Sequence, residues 1–589
     1  MARGRFTVIF TVLGLAVFVS IAGFVLLYLL VGREPSVSSN TTLVLKIGGE
    51  LSEVAPTNVV GYFRGANAPV VRTIVENLRK AKADPRVSAV LLKPTGFDSP
   101  YWGKVQEIRD AVLEFKKSGK PVYAYLEYGG DREYYLASAA DRVFLLPSSP
   151  LDLKGIATYA VFLRGTLDKI GAYPDMQHIG DYKTAMNQLT EKGYTRAHKE
   201  MDESLNRDVF EQLVRGIADG RKKSDEEVRK LIDQGPFLPE DALHAGLIDD
   251  VAYEDQVDDK LKKSDTRLRK IEGEDYARVS GSAFGLNRGP RIGVIYATGA
   301  ITSGKSGFDP LNGAALGSDT LIDAIRQARR DNSLRAIVLR IDSPGGSAAA
   351  SDAIWRELML AKNERSDRPI VASMSDLAAS GGYYIAMPAQ VIVAQPSTLT
   401  GSIGIFGGKI VTGGVYEKLG AHIDSTSIGK NAEMDSPVRP FNADERKKIQ
   451  EQLQAFYDGF VEKVAQSRHT TPEKIDAIAQ GRVWTGQQAK ENGLVDSLGG
   501  LDTAVAIAKQ RAKLAADTEV ELVVFPPRKN FYELLTDQFS GASDQIAMGQ
   551  WLSSNLSKGE LDALRIMRGP LTMYRRGEPL ALMPMTFLR

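Results

Sequence analysis

Hydrophobic positions in this 589-residue chain fall into one long opening block and then into many short runs set between polar stretches. From Phe6 to Val31 there is no charged residue. As a helix that block would extend about 39 Å at about 1.5 Å per residue, enough to span a bilayer. Arg3 and Arg5 precede it and only Arg33 closely follows, so the positive-inside tendency puts the short tail in the cytoplasm and the rest of the chain outside. Ser20-Ile21-Ala22 has the small-x-small spacing of a signal cleavage site. The apolar stretch is nevertheless long for the h-region of a cleaved signal, so an uncleaved anchor is the expectation.

Past the anchor, the apolar runs Leu43–Ile47, Ala89–Leu92 and Val122–Leu126 read as strands, with a helical pattern at Val105–Lys117 between the second and third. The same succession returns at Ile292–Tyr296, Ala336–Leu339, Ser351–Lys362 and Ile370–Met374. Alternation of this kind predicts βα units on a largely parallel sheet, an α/β fold in each copy. Self-comparison supports a duplication. Glu133-Tyr134-Tyr135-Leu136-Ala137 resembles Gly382-Tyr383-Tyr384-Ile385-Ala386, and Lys169-Ile170-Gly171-Ala172 resembles Lys418-Leu419-Gly420-Ala421, both at an offset of 249. Ala245-Gly246-Leu247-Ile248-Asp249 resembles Asn492-Gly493-Leu494-Val495-Asp496 at nearly the same offset.

The expected organisation is a tail and transmembrane anchor at 1–35, a first repeat at 36–285, a second at 286–525 and a tail of unassigned role at 526–589. A Ser- and Gly-rich linker, Val279–Gly289, marks the boundary between repeats. Within the tail, Phe531–Phe539 has the spacing of a short amphipathic helix, a stripe that is more often docked core than a partner surface.

Composition narrows the chemistry. With 43% hydrophobic and 25% charged residues the chain is globular, and at this length it needs more than one core. Its 74 basic and 73 acidic residues are interspersed and leave a net charge of +1, so no footprint for nucleic acid is present. Absence of cysteine removes thiol nucleophiles and thiolate metal sites. The five histidines have no spacing that sets two ligands on one helix face, and no metal or cofactor is expected.

Two segments of the second repeat stand out. Asp342-Ser343-Pro344-Gly345-Gly346-Ser347 follows a strand and precedes a helix, so its backbone N–H groups could turn toward a substrate oxygen. Ala378-Ala379-Ser380-Gly381-Gly382-Tyr383 surrounds one hydroxyl with small residues at the start of a helix, where Gly381, with Gly345 or Gly346, could stabilise an oxyanion. Taken singly, the first is an ordinary tight turn and the second an ordinary N-cap. Comparison of the copies changes this. At the position of Ser380 the first repeat has Asp131, or Arg132 with a displaced gap, and it lacks the paired glycines. Conversely Lys183, in Gly180-Asp181-Tyr182-Lys183, faces Ala432 in the second repeat. Alone, a lysine there would be a solvated surface charge, but serine and lysine have segregated to opposite copies.

Ser343-Pro344-Gly345-Gly346-Ser347, Ala378-Ala379-Ser380-Gly381-Gly382-Tyr383, Pro396-Ser397-Thr398-Leu399-Thr400-Gly401-Ser402-Ile403-Gly404 and Gly180-Asp181-Tyr182-Lys183 together resemble the signal peptide peptidase A (protease IV) family in its long tandem form, over residues 40–525. The resemblance implies a Clp-protease/crotonase-like fold, Ser380 as nucleophile, Lys183 as general base and Ser402 hydrogen-bonding the lysine amine. It also implies a homotetramer on the outer face of the bacterial cytoplasmic (inner) membrane that degrades cleaved signal peptides, with no cofactor. The chemistry requires a desolvated lysine: lowering its usual pKa of about 10.4 by roughly three units corresponds to about 4 kcal/mol. Asp376 stands where small residues are expected. Alternatives are a crotonase-like acyl-CoA enzyme, which also uses glycine-rich oxyanion loops, and an inactive membrane scaffold.

Overall fold

The computed structural model describes residues 34–54, 70–262, 268–309, 313–526, 579–584 and 587–588. The anchor at 6–31 and the stretch Phe531–Phe539 lie outside the described residues. Among the described residues no helix is long and apolar enough to cross a membrane.

Each repeat folds around a largely parallel sheet, and six strands of the eight-stranded second sheet repeat the order of the first, with Leu399–Gly401 and the antiparallel Val483–Thr485 branching from Ile370–Ala379. The first runs Arg269–Glu272, Thr41–Gly49, Val87–Phe97, Val122–Leu126, Arg142–Leu145, Asp250–Val251, and the second Glu521–Phe525, Arg291–Thr298, Leu334–Ser343, Ile370–Ala379, Val391–Ala394, Ser497–Leu498. Central strands such as Val122–Leu126 and Val391–Ala394 are apolar almost throughout because helices cover both faces. The runs read from sequence are the centres of these strands. Two helices absent from that reading, Val71–Ala83 and Ser318–Arg330, occupy matching places in the two copies. Their apolar positions, Val71, Ile74, Val75 and Leu78 in the one and Leu321, Ala324, Ile325 and Ala328 in the other, recur at helical spacing and are buried.

A third sheet crosses between the repeats. Tyr173–Ile179 of the first pairs antiparallel with Ile405–Val411 of the second over seven residues, from Tyr173 opposite Val411 to Ile179 opposite Ile405. The tail segment Leu580–Leu582 joins this sheet, pairing antiparallel with Gly345–Ser347 on one side and meeting Phe406 on the other. Pro579, Leu580 and their neighbours therefore lie against the second repeat rather than apart from it.

The repeats are also fastened by buried charge. Arg340 of the second sheet holds Glu53 through two hydrogen bonds of 2.8 and 2.7 Å, and Glu107 at 2.6 Å. It also donates to Ser373 and Ser375. Burial works against the charge of Glu53, but the Arg340 guanidinium outweighs it and holds this carboxyl at about 2. Asp376, the expected misfit, has a partner here. Its Oδ1 accepts from the Lys104 backbone N–H at 2.9 Å and its Oδ2 lies 3.2 Å from Lys104 Nζ, which also reaches Asp342 at 2.7 Å.

Candidate active site

Ser380 joins the strand Ile370–Ala379 to the helix Gly381–Ala386 at φ +54° and ψ −111°, a conformation that costs a non-glycine residue roughly 1–3 kcal/mol. Its backbone is clamped on both sides. The Ser380 N–H donates to Gly401 O at 2.8 Å, and Ser380 O accepts from Tyr384 N–H at 2.8 Å. As the residue before a helix, Ser380 occupies an N-cap position, yet its hydroxyl makes no capping bond. The hydroxyl is directed elsewhere, to Lys183 Nζ at 2.8 Å.

Lys183 arrives from the other repeat. The loop after Tyr173–Ile179 turns at Gly180 (φ +94°) and is held by the Tyr182 N–H donating to Gln480 O at 2.9 Å. The side chain then runs inward, and Ser380, Lys183 and Ser402 all have no solvent exposure. The amine lies 3.0 Å from Ser402 Oγ and 3.1 Å from Ser402 O as well as 2.8 Å from Ser380 Oγ. Among the described residues no carboxylate forms an ion pair with it. Burial alone pushes its pKa well below the usual lysine value. A neutral amine has two N–H donors and one lone pair, a set that would suit these three neighbours with both Ser402 oxygens accepting and the lone pair left for the Ser380 O–H. Such an amine can take a proton from the serine.

The glycines divide by role. The Gly345 N–H donates to Ser343 Oγ at 3.2 Å within its own turn. What Gly345 contributes is close approach. Its φ is +98°, and a Cβ there would fall 2.1 Å from Ala581 O and 2.7 Å from Gly381 N. A Cβ on Gly381 would lie 3.1 Å from both Gly345 Cα and Gly346 N, so the two glycine segments pack closely beside Ser380.

The profile of peptidase family S49 matches this chain twice, at residues 114–268 and 362–515, once in each repeat. The chain belongs to peptidase family S49. Among relatives of this S49 chain, "Serine protease SPPA, chloroplastic" of Arabidopsis thaliana is 37% identical over 543 residues, covering 90% of this chain and 77% of that protein. "Protease 4" of Salmonella typhi is 36% identical over 455 residues, 75% of this chain and 72% of its own. With its family and these relatives, the S49 chain is a serine protease, and the acyl-CoA and scaffold alternatives drop out. Among solved structures, a mutant of ClpP1 from Listeria monocytogenes has 14% identity and a TM-score of 0.22, over 36% of this chain and 92% of that one.

Two residues of the S49 site escaped sequence reading. A Cβ on Gly481 would fall 2.5 Å from the N, Cα and Cβ of Lys183, and one on Gly404 would fall 3.1 Å from Lys183 Cδ. Both glycines form the wall along which the lysine enters. Gly481 is fixed by donating to Ile403 O at 2.8 Å, and Ser402 N–H donates to Arg482 O at 2.7 Å. Gln480-Gly481 has a counterpart in Gln234-Gly235, so contrast between the copies carried no signal for it.

Proposed function

We propose that this chain is a membrane-anchored serine endopeptidase that uses a Ser380/Lys183 dyad to degrade cleaved signal peptides and other apolar peptides. The observation that carries the reading is a fully buried lysine amine from one repeat, pushed toward neutrality by burial alone, 2.8 Å from the serine hydroxyl of the other. The names of its relatives, a serine protease and a protease 4, support the peptidase class. A relative of Enterococcus faecium, 36% identical over 33% of this chain, is named "Putative signal peptide peptidase SppA", which supports the substrate class. The anchor at 6–31, with both repeats outside, follows from the apolar run and its flanking arginines, and the inner-membrane location and the homotetramer follow from the family resemblance.

In this mechanism Lys183 Nζ takes the Ser380 proton as Oγ attacks the peptide carbonyl. The developing oxyanion meets the N–H group of Gly381, at the N-terminus of its helix, together with that of Gly345 or Gly346. Lys183 then gives its proton to the leaving amine, and a water activated by the same amine releases the acyl group from Ser380. Ser402 keeps two acceptors on the lysine so that its lone pair stays turned to Ser380. The test is hydrolysis of a fluorogenic apolar peptide by detergent-purified full-length wild type, Ser380→Ala and Lys183→Ala with matched circular dichroism and gel-filtration profiles. Both variants are expected to lose turnover by at least about 10³-fold, on the order seen when a nucleophile or its base is removed. Wild-type rates in Lys183→Ala would refute the dyad.

A further inference from the structure

A cation from the second repeat covers the loop that delivers the lysine. The strand Val483–Thr485 pairs antiparallel with Leu399–Gly401, with Val483 opposite Gly401 and Trp484 opposite Thr400. Arg482 stands just before that strand and just after Gly481, the glycine that lies against the Lys183 backbone. Its guanidinium carbon is 4.6 Å from the centre of the Tyr182 ring and 4.5 Å from the centre of the Trp484 ring. Tyr182 is the residue before Lys183 and belongs to the first repeat, so one cation meets an aromatic face from each repeat. Glu200, on the first-repeat helix Arg196–Arg221, completes the cluster. Its carboxylate lies 2.9 Å from Arg482 Nη2 and accepts from the Tyr182 hydroxyl, and these two partners hold the carboxyl below its usual range.

The backbone beneath this cluster is that of the dyad. Arg482 O accepts from the Ser402 N–H at 2.7 Å, the Arg482 N–H donates to Ala479 O at 2.8 Å, and the Tyr182 N–H donates to Gln480 O at 2.9 Å. A Cβ on Gly401, whose carbonyl accepts from the Ser380 N–H, would fall 2.9 Å from Trp484 Cδ1 and 3.0 Å from Arg482 O. Lys183 Nζ itself bonds to Ser380 and Ser402, so Arg482 acts on it at one remove. Because Glu200 pairs with the guanidinium, the cluster is neutral in sum: it fills the space beside the loop without adding a charge that would favour an ammonium. Other titratable groups of the neighbourhood are held elsewhere. His178 Nδ1 bonds to Gly180 O at 2.9 Å, Asp476 accepts from Tyr457 and Gln480, and Asp181 is exposed.

Resting on the dyad reading, we propose that Arg482 is a positioning residue for the general base: with Tyr182, Trp484 and Glu200 it seals the loop 180–184, keeps water from Lys183 and so sets the pH above which the enzyme works. Without the guanidinium, the Tyr182 ring loses its cover and water reaches the loop from the side of the first-repeat helix. Solvation then favours the ammonium form, which cannot take the Ser380 proton.

The test is the pH profile of kcat/KM on the fluorogenic apolar peptide between about pH 5.5 and 10, a range reaching toward the ordinary lysine value. It uses detergent-purified full-length wild type, Arg482→Ala, Trp484→Leu and Trp484→Phe with matched circular dichroism and gel-filtration profiles. The acid limb of this profile reports protonation of the base in the free enzyme. Arg482→Ala and Trp484→Leu are expected to move that limb upward by about one unit or more, losing at least about ten-fold below it and recovering toward wild type at alkaline pH. Trp484→Phe shares with Trp484→Leu the loss of the Nε1 bond to Ile478 O but keeps a ring for the guanidinium, and its limb should stay with wild type. A loss by one factor at every pH, with the limb in place, makes Arg482 a fastener of the repeats and overturns the proposal, as does a wild-type profile in Arg482→Ala. Should Arg482→Ala not match the wild-type fold, the Trp484 pair decides by the same criterion. Lys183→Ala, assayed alongside, separates the two readings: if it retains turnover, dyad and seal both fall, whereas an inactive Lys183→Ala with an unmoved limb in Arg482→Ala overturns the seal alone.

Discussion

Replacing Lys183 by methionine should abolish peptide hydrolysis and, at neutral pH, make the protein more stable. The side chain is unexposed and its pKa is driven down by burial, with no carboxylate to offset the loss of water. A folded lysine that is neutral at pH 7 binds no proton, whereas the same residue in the unfolded chain, with a pKa of about 10.4, binds one. The unfolded state therefore binds more protons, and wild-type stability rises with pH by about 1.4 kcal/mol per unit up to about pH 10. The penalty grows as pH falls below the unfolded-state value of about 10.4. Methionine removes it, but it also forfeits hydrogen bonds to the two Ser402 oxygens, each worth about 1 kcal/mol. A net gain is expected at pH 7, shrinking by up to about 1.4 kcal/mol per unit as pH rises. Urea unfolding of wild type and Lys183→Met at pH 7, 8 and 9, followed by tryptophan fluorescence, measures this. A difference between the two proteins that stays constant across those pH values would refute a neutral lysine.

Ser402→Ala removes an acceptor on the lysine without touching Ser380, so kcat should fall about 10–100-fold with KM little changed, as steady-state hydrolysis of the fluorogenic peptide would report. Gly481→Ala places a methyl 2.5 Å from Lys183 backbone and Cβ at a residue with φ +79°; activity should fall by about 100-fold or more while far-UV circular dichroism is retained. Arg340→Met strands Glu53 and Glu107 without their cation between the repeats, and the expected loss is about 3–5 kcal/mol in urea unfolding.

The duplicated α/β architecture was legible because strand centres such as Leu43–Ile47 and Ile292–Tyr296 repeat at a fixed offset, and repetition makes weak patterns add. Strand ends were not. Leu334–Ser343 continues through Asp342 and Ser343, polar residues that stay in the strand because Lys104 and the Gly345 N–H give them partners. The sheet between the repeats left no trace, since Tyr173–Ile179 has no alternation and gains its order only from Ile405–Val411, more than two hundred residues away. At the site, Ser380, Lys183 and Ser402 lie within hydrogen-bond distance of one another through the lysine amine, and no local feature distinguishes Lys183 from a surface lysine. Contrast between the copies raised it, and the same contrast was blind to Gly481, which both copies keep. Asp376 looked out of place only because its partner, Lys104, belongs to the other repeat.

That arrangement explains why lysine and serine sit in different copies. A lysine can act as base near neutral pH only if water is kept from it on every side, and a single surface loop such as 180–184 cannot provide this. Here the enclosure is made by residues 402–404 and 480–482 of the second repeat closing over an element of the first. The repeats are held in that register by Arg340 with Glu53 and Glu107, by Lys104 with Asp342 and Asp376, and by the paired strands Tyr173–Ile179 and Ile405–Val411. On the proposed dyad mechanism, docking both brings Lys183 onto Ser380 and supplies the burial that lowers its pKa, so a half-folded chain is expected to carry no proteolytic activity.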